Sequence, residues 1–287
     1  MHHDRAPAKI NLFLHVFGRR DDGYHLIESL VGFADVGDDL ALELAARLSL
    51  TIDGPMAGGL VAEDDNLVLR AARLFLAAFP AARAGRFSLT KNLPVASGLG
   101  GGSSDAAAAL RLLCRANQMD ATDPRVLAIA RELGADVPVC VEVRPRLMRG
   151  IGHELGPVLA HADTPALLIN PGVAVETRAV FSGLGLQPGQ RLLQPAGASS
   201  GGDRFARLAA ETRNDLEAPA KAIAPKIERV LKALSAAAGC QVARMSGSGA
   251  TCFGLFESEA DVLRAAEVLR MREGLWWLQP CRIQVPH

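Results

Sequence analysis

Apolar and polar residues first alternate strictly in the segment 8–16. The apolar positions are Ala8, Ile10, Leu12, Leu14 and Val16. Because successive side chains of a strand point to opposite faces, this spacing predicts a β-strand that buries one face. Lys9 and Asn11, two positions apart, then share the other face.

Turn residues and polar breaks divide the next part of the chain. A turn over 19–23 leads into a second strand near residues 24–26, and the segment 29–53 predicts two or three more short strands, separated at Asp38-Asp39. After the capping residues 64–66, apolar positions recur at helical spacing from Leu67 to Ala78. The segment 86–93 returns to a strand pattern.

Four glycines within five positions follow this strand, at Gly98 and at 100–102. Ser103, Ser104 and Asp105 come next, suited to the cap and first turn of a helix, and an alanine-rich run predicts the helix itself. A glycine loop before a helix N-terminus directs several N–H groups and the positive end of the helix dipole at one point, which typically binds phosphate. Neither a Walker A motif nor a complete dinucleotide fingerprint is present.

The second half of the chain predicts a further series of helices and strands. A helix begins at Asp123-Pro124 and ends at Gly134, and Asp136 follows among apolar residues. The pattern of apolar and polar residues becomes irregular over 144–163, where glycines and prolines occur. This irregularity predicts a domain boundary and two domains, 1–155 and 156–287. A strand over 166–170 comes next, and the Gly-, Pro- and Ser-rich segment 183–203 is predicted to be a mobile loop.

The remaining segments complete the prediction. The apolar spacing over 223–234 predicts one amphipathic helix, and strands at 241–245 and 251–256 flank the small-residue turn 246–249. Ser258 and Asp261 form a capping box for the last helix, and 276–285 is a final strand. Helices and strands mix without a regular βαβ rhythm, so the fold class is predicted as α+β.

Composition narrows the functional classes. Lys and Arg together number 31, as do Asp and Glu, so the chain has no net charge that would favour binding to nucleic acid or to an acidic membrane. Five scattered cysteines without CxxC spacing argue against a disulfide framework and a zinc site, and favour a cytoplasmic location. No apolar run reaches membrane-spanning length, so a membrane protein is not expected.

Three separated features resemble the motifs of the GHMP kinase superfamily, in the same order. They are the strand with Lys9 and Asn11, the glycine loop, and the turn 246–249. The segments 7–12, 20–25, 98–107, 134–138 and 245–250 are more closely similar to the branch of this family that phosphorylates a cytidine-linked methylerythritol, and the first two are specific to that branch. The similarity extends from residue 7 to about residue 256. The segment 150–153 departs from it, because His153 stands where the family usually has glutamate.

This resemblance implies a fold and a reaction. The fold is an N-terminal domain like the second domain of ribosomal protein S5, followed by a ferredoxin-like C-terminal domain. The reaction is phosphoryl transfer from ATP, with Mg²⁺, to the 2-hydroxyl of the cytidine diphosphate-linked polyol, in non-mevalonate isoprenoid synthesis. Lys9 and Asp136 match the family's catalytic pair. The metal ligands and the oligomeric state, monomer or homodimer, stay open.

The resemblance also implies two groups of binding residues. The expected ATP-binding residues are Pro94, Val95, Ala96, Ser97, Gly98, Leu99, Gly100, Gly101, Gly102, Ser103, Ser104 and Asp105. The expected substrate-binding residues are Asn11, Tyr24, His25, Thr177, Phe181, Gly247 and Ser248.

Two alternatives to this interpretation stay open at this point. One is another GHMP kinase, acting on homoserine, mevalonate or a sugar, and the turn Asp22-Gly23-Tyr24-His25 argues against it. The other is a non-catalytic protein that uses an S5-like fold to bind RNA, and the balanced charge argues against that.

Overall fold

A computed structural model describes residues 1–60, 65–159, 163–192 and 212–284. Its strands are β1 (His2–Arg19), β2 (His25–Leu44), β3 (Ser49–Asp53), β4 (Gly85–Thr90), β5 (Arg146–Gly150), β6 (Glu154–Val158), β7 (Thr164–Asn170), β8 (Cys240–Met245), β9 (Cys252–Phe256) and β10 (Trp277–Gln284). Its helices are α1 (Leu67–Ala78), α2 (Gly101–Ala116), α3 (Pro124–Leu133), α4 (Val137–Glu142), α5 (Thr177–Ser182), α6 (Glu217–Ile223), α7 (Lys226–Ser235) and α8 (Glu259–Arg272).

The first of two compact units comprises Met1–Lys9, Val36–Val95 and Gly100–Arg144. In it, β4 pairs antiparallel with the C-terminal half of β2 and parallel with β3. Helix α2 packs against α1 and α4, and α1 also packs against α3. The apolar faces of these helices are buried, as Phe75, Leu110 and Val126 illustrate. This unit therefore has its own core of helices and sheet.

The second unit comprises Ile10–Asp35, Ala96–Leu99 and Pro145–His287. Its strands follow the order β2-β10-β7-β9-β8, and every neighbouring pair is antiparallel. A hairpin of β5 and β6 adds to the N-terminal half of β2. Helices α7 and α8 pack on this sheet, and the core includes Leu167, Ile169, Ile227, Leu234 and Phe256.

Strand β1 confirms the prediction for residues 8–16 but differs in its burial. Every residue from Ala6 to Val16 is buried, including Lys9 and Asn11, so neither face of this stretch is open to solvent. The polar positions are therefore held inside the protein, where their charged and amide groups require partners.

The prediction of short strands broken at Asp38-Asp39 was wrong. Strand β2 runs without interruption from His25 to Leu44. Asp38 is fully buried within it, and its carboxylate accepts hydrogen bonds from the backbone N–H groups of Asn92 and Leu93. A buried carboxylate that has such donors does not interrupt a strand, whereas the sequence pattern offered no sign of these partners.

The single helix predicted over 223–234 was also wrong in its extent. The segment forms two helices, because α6 ends at Ile223 and α7 begins at Lys226. Pro225 lies between them, and proline lacks the N–H group that a continuous helix needs. Ile223 is exposed instead of sharing the buried face of α7.

Other predictions agree with the structure more closely. The helices over 67–78 and 124–133, their caps Asn66 and Asp123, and the strands at 166–170, 241–245 and 251–256 are confirmed. Ser258 caps α8 by accepting from the N–H of Asp261. The hairpin of β5 and β6 was not predicted. Residues 193–203 of the predicted loop lie outside the described residues, as do Asp64 and position 285.

The α+β class is confirmed, whereas the domain boundary at residue 155 stays a prediction. The chain enters the second unit for the last time at Pro145, but two earlier segments also belong to that unit. Among the described residues, no helix has both the length and the apolar character to span a membrane.

Candidate active site

Lys9 and Asp136 form an ion pair within the first unit. Lys9 lies on β1 and is only 4% exposed, and its Nζ is 2.8 Å from Oδ2 of Asp136. Asp136 is the N-cap residue of α4, but its side chain makes no capping hydrogen bond. Its side chain is 36% exposed. The carboxylate is therefore held by the lysine on one side and remains accessible on another.

Helix α2 begins earlier than the sequence suggested. Its N-cap is Gly100, with φ of +63°, and its first residue is Gly101, so the serines and Asp105 lie inside the helix and do not cap it. The first N–H groups of an α-helix have no partner within the helix. Here they belong mainly to small residues, at the positive end of the helix dipole. The start of α2 can therefore bind an anion such as a phosphate.

Gly100 also makes room for the catalytic candidate on β1. A Cβ atom at this position would lie 2.9 Å from Cε of Lys9 and 3.2 Å from its Cβ. The lysine side chain therefore passes directly beside the start of α2. Because a cation next to the N-terminus of a helix adds to the positive potential there, both features favour the same negatively charged ligand.

Not every residue of the predicted loop presents its side chain to a ligand. Leu99 and Ser104 are fully buried, and the hydroxyl of Ser104 donates to the carbonyl of Pro7. Asp105 is buried as well and binds Lys91. At these three positions only the backbone could contact a nucleotide.

The turn 246–249 belongs to the second unit and is held by a hydrogen-bond network. The hydroxyl of Ser246 accepts from the backbone N–H of Asn11 and donates to the carbonyl of Gly98. Gly98 has φ of +80°, and a Cβ there would lie 2.3 Å from the carbonyl oxygen of Ser246. Asn214 donates to the carbonyls of Met245 and Gly247. Glycine is required at position 98 for this close backbone approach.

The amide of Asn11 is oriented by its neighbours. Its Nδ2 donates to Ser29 Oγ at 2.7 Å, and the Ser29 hydroxyl donates to the carbonyl of Phe13 at 2.5 Å. Since the carbonyl can only accept, the serine oxygen is left to accept from Asn11. The Oδ1 atom of Asn11 then faces Gly247, where a Cβ would be 3.1 Å away.

A cavity of about 720 Å³ lies in the second unit and brings most of the substrate candidates together. The rings of His25 and Phe181 contact each other there in a tilted arrangement, with centroids 4.8 Å apart, and Tyr24 is 59% exposed. The lining residues are Arg19, Asp22, Gly23, Tyr24, His25, Ile27, Ile151, Thr177, Arg178, Phe181 and Ser182. Ser248 reaches this group through a hydrogen bond of 2.8 Å to Thr177.

The environment of His25 favours its neutral form. Burial lowers the pKa of its imidazole, and the guanidinium of Arg19 lowers it further. A neutral imidazole carries one donor and one acceptor, which suits the edge of a nucleobase. The cavity thus combines aromatic surface with a polar edge of both kinds.

Sequence reasoning missed two groups of residues at these sites. One is the pair Asp38 and Lys91, which meet Asp105 in a buried cluster; the sequence predicts Asp105 as an ATP-binding residue and Asp38 only as part of a strand break. The other is the cavity lining contributed by Arg178 and Ile151. Neither residue belongs to a recognisable motif, so nothing in the sequence indicated that it lies at the cavity. Within the described part of the chain, no group of three His, Cys, Asp or Glu side chains could hold a metal ion.

Comparisons with known proteins agree with these features. The family model for the GHMP kinases N terminal domain matches residues 66–142, and the GHMP kinases C terminal model matches residues 197–272. A 4-diphosphocytidyl-2-C-methyl-D-erythritol kinase from Methylorubrum extorquens is 54% identical over 284 residues, which cover 97% of this chain and 98% of that protein.

Solved structures show the same relationship. The crystal structure of a 4-(cytidine 5'-diphospho)-2C-methyl-D-erythritol kinase matches with a TM-score of 0.77 and 34% identity, over 99% of this chain and 100% of that one. A homoserine kinase from Cytophaga hutchinsonii matches with a TM-score of 0.67 and 19% identity, over 99% and 96% of the two chains. At that identity the second likeness concerns the fold alone.

Proposed function

This chain belongs to the GHMP kinase family, and we propose that it transfers the γ-phosphoryl group of ATP to the 2-hydroxyl of 4-diphosphocytidyl-2-C-methyl-D-erythritol. The relatives that match almost the whole chain at about half identity carry the name of this kinase. The step belongs to the non-mevalonate route to isoprenoid precursors. The enzyme is therefore an ATP-dependent kinase of a small alcohol.

The observation that carries the choice of substrate is the aromatic cavity of the second unit. Tyr24, His25 and Phe181 offer stacking surfaces together with a donor and an acceptor, which are the features that bind a pyrimidine base. Homoserine and mevalonate have no aromatic ring to fill such a cavity. A cytidine-linked substrate carries a pyrimidine ring that can stack on these surfaces.

Phosphoryl transfer depends mainly on positioning and charge stabilisation. We infer that the N–H groups at the start of α2 bind the ATP phosphates and that Lys9 stabilises the charge on the transferring group. Asp136 accepts the proton of the attacking hydroxyl as general base. Asn11, two positions after Lys9 on β1, orients the polyol through its Oδ1.

We propose that Mg²⁺ enters with ATP as the nucleotide complex. Magnesium at kinase sites is held largely by phosphate oxygens and water, with only one or two protein ligands. Such an arrangement does not need a dedicated cluster of protein ligands. The ion would neutralise charge on the phosphates during transfer.

A cytoplasmic location is part of the same proposal. All five cysteines are free thiols, four of them buried, as expected for a protein in a reducing compartment. A monomer or a homodimer remains the prediction for the oligomeric state.

A substrate panel in a coupled ADP-release assay tests the proposed function. The cytidine-linked methylerythritol should release ADP in proportion to substrate, whereas mevalonate, homoserine and galactose should not. CMP should compete with the cytidine-linked substrate. Faster turnover of any other alcohol would overturn the assignment, and RNA binding at low salt without kinase activity would favour the non-catalytic alternative.

A further inference from the structure

Three charged side chains of the first unit meet beneath the first turn of α2. Nζ of Lys91 donates to Asp38 and, at 2.7 Å, to Oδ2 of Asp105. All three side chains are at most 6% exposed. A Cβ at Gly101 would lie 3.5 Å from Nζ and 3.7 Å from Oδ2 of Asp38. This buried cluster therefore lies directly against the backbone that is proposed to bind phosphate.

The two carboxyl groups of the cluster have unequal partners. Oδ1 of Asp38 accepts from the backbone N–H groups of Asn92 and Leu93, at 2.6 and 2.9 Å. Oδ1 of Asp105 is also buried, but it has no hydrogen-bond partner among the described residues. Hydrogen bonds stabilise a carboxylate, and an unpartnered buried oxygen is most costly when it carries charge. Asp38 is therefore suited to be the anion of the cluster, and Asp105 is not.

The charge balance leads to the same assignment. One ammonium and two carboxylates would leave a net charge of −1 in a buried site next to the phosphate loop. Such a charge is costly to bury and would repel a bound nucleotide. We propose that Asp105 is a positioning residue for the nucleotide that acts as a neutral carboxylic acid beside Lys91, and that its ionisation weakens nucleotide binding. This inference rests on the proposed function, because it takes the start of α2 as the nucleotide site.

The electrostatic environment agrees with this geometry. Burial raises the pKa of Asp105 to about 7, with Lys91 lowering it and Asp38 raising it. For Lys91, burial acts to lower the pKa, but the two carboxyl groups outweigh burial and raise it, so the ammonium stays charged. On the other elements around α2, Lys9 of β1 and Asp136 of α4 pair with each other. Helices α1 and α3 contribute only exposed charges, namely Arg70, Arg73, Arg125, Arg131 and Glu132.

The proposal makes nucleotide binding depend on one proton. Below about pH 7, Asp105 is neutral and the cluster has no net charge. As the pH rises through this value, Asp105 ionises and the negative cluster opposes the phosphates. By linkage, a bound nucleotide favours the protonated form, so binding above pH 7 takes up a proton.

A comparison of wild type with Asp105→Asn tests the proposal. Asparagine has the shape of the neutral acid and cannot ionise. We expect equal ADP affinities at pH 6, and about fivefold or more weaker binding by wild type at pH 8.5. The ratio of the two Kd values at each pH cancels the ionisation of ADP itself. Asp39→Asn, the adjacent exposed aspartate on β2, should keep the pH dependence of wild type. A ratio that stays constant from pH 6 to 8.5 would overturn the proposal.

Calorimetry of the wild-type protein gives a second test that needs no variant to fold. At pH 8, well above the phosphate pKa of about 6, ADP binding should take up a fraction of a proton, seen as a dependence of the binding enthalpy on the ionisation enthalpy of the buffer. Binding without proton uptake would refute the proposed role of Asp105 but not the proposed function. A wild-type protein that binds no ADP at any pH would refute the proposed function instead.

Discussion

Asp136 combines two properties that a general base requires. It is held at 2.8 Å from the ammonium of Lys9, and its side chain is still partly open to solvent. The absence of a capping hydrogen bond leaves its oxygens available to a substrate hydroxyl. An aspartate that only capped α4 would be committed to backbone N–H groups.

Asp136→Asn should lower kcat about 10²- to 10⁴-fold, because a positioned general base contributes that much to the rate. ATP affinity should remain, since the N–H groups of α2 are unchanged. Single-turnover kinetics with measured nucleotide binding separates the two effects. The exposed Glu132→Gln on α3 serves as the control. A loss of less than about tenfold would show that Asp136 is not the base.

The neutral form of His25 predicts a characteristic pH dependence. Its pKa lies below the ordinary value of 6.5 because of burial and Arg19. Protonation removes the acceptor, so substrate affinity should be constant from pH 8 to about 6.5 and should fall only below that value. The KM for the cytidine-linked substrate measures this, and His25→Asn should abolish the acid limb. A midpoint above pH 6.5 would contradict the assignment.

Helix α2 acts as a unit because its first turn contacts several parts of the first unit. Gly100 contacts Lys9, Ser104 binds the carbonyl of Pro7, and Asp105 binds Lys91. A change at the start of the helix should therefore affect catalysis through Lys9 before it affects folding.

Gly100→Ala should lower kcat about ten- to hundredfold, since its Cβ would displace Lys9 from Asp136 and small misplacements at a reacting centre have effects of this size. Alanine is also strained at this positive φ. Steady-state kinetics together with a thermal melt measures both effects. At Gly58, nothing lies within 4 Å of a new Cβ, so Gly58→Ala should behave as wild type. Full activity in Gly100→Ala would show that Lys9 does not need this space.

The Lys91 cluster joins α2 to β2 and to the segment after β4. Lys91→Met would leave two buried carboxyl groups without their cation, and breaking a buried ion pair in this way costs about 3–5 kcal/mol. Urea unfolding measures this loss. Arg86→Met removes an exposed ion pair between Arg86 on β4 and Glu43 on β2, and it should cost less than about 1 kcal/mol. Equal losses of unfolding free energy in both variants would mean that the buried cluster stabilises the fold no more than an exposed ion pair does.

At the scale of the whole molecule, the proposed tasks fall in different compact units. Lys9, Asp136 and the start of α2 belong to the first unit, whereas the aromatic cavity belongs to the second. Binding of the nucleobase and binding of ATP should therefore respond to separate substitutions.

Tyr24→Ala should weaken the cytidine-linked substrate about 5- to 150-fold, which corresponds to the 1–3 kcal/mol of one base–aromatic stack. ATP affinity should stay within experimental error. CMP should compete with the cytidine-linked substrate in wild type, and this competition should weaken by the same factor in Tyr24→Ala. Loss of ATP binding, or CMP that never competes with substrate, would place the cytidine site elsewhere.

Local sequence determined the features that depend on neighbouring residues. The glycine loop before an alanine-rich helix, the caps Asn66 and Asp123, and the alternation around Lys9 all follow from short-range rules of backbone freedom, capping and strand periodicity. The family resemblance supplied Lys9, Asp136 and the cavity residues as candidates. The structure then brought Lys9 to Asp136, and His25 to Phe181.

Only the tertiary structure decided the features that depend on distant partners. In the sequence, Asp38 indicates a strand break. In the structure it lies inside a continuous strand, because the N–H groups of Asn92 and Leu93 and the ammonium of Lys91 donate hydrogen bonds to its carboxylate. Asp105 suited a helix cap in the sequence and became a buried partner of a lysine 14 residues away. The environment of a charged group is set by the side chains and backbone that surround it in space, and local periodicity carries no information about residues that lie far apart in the chain.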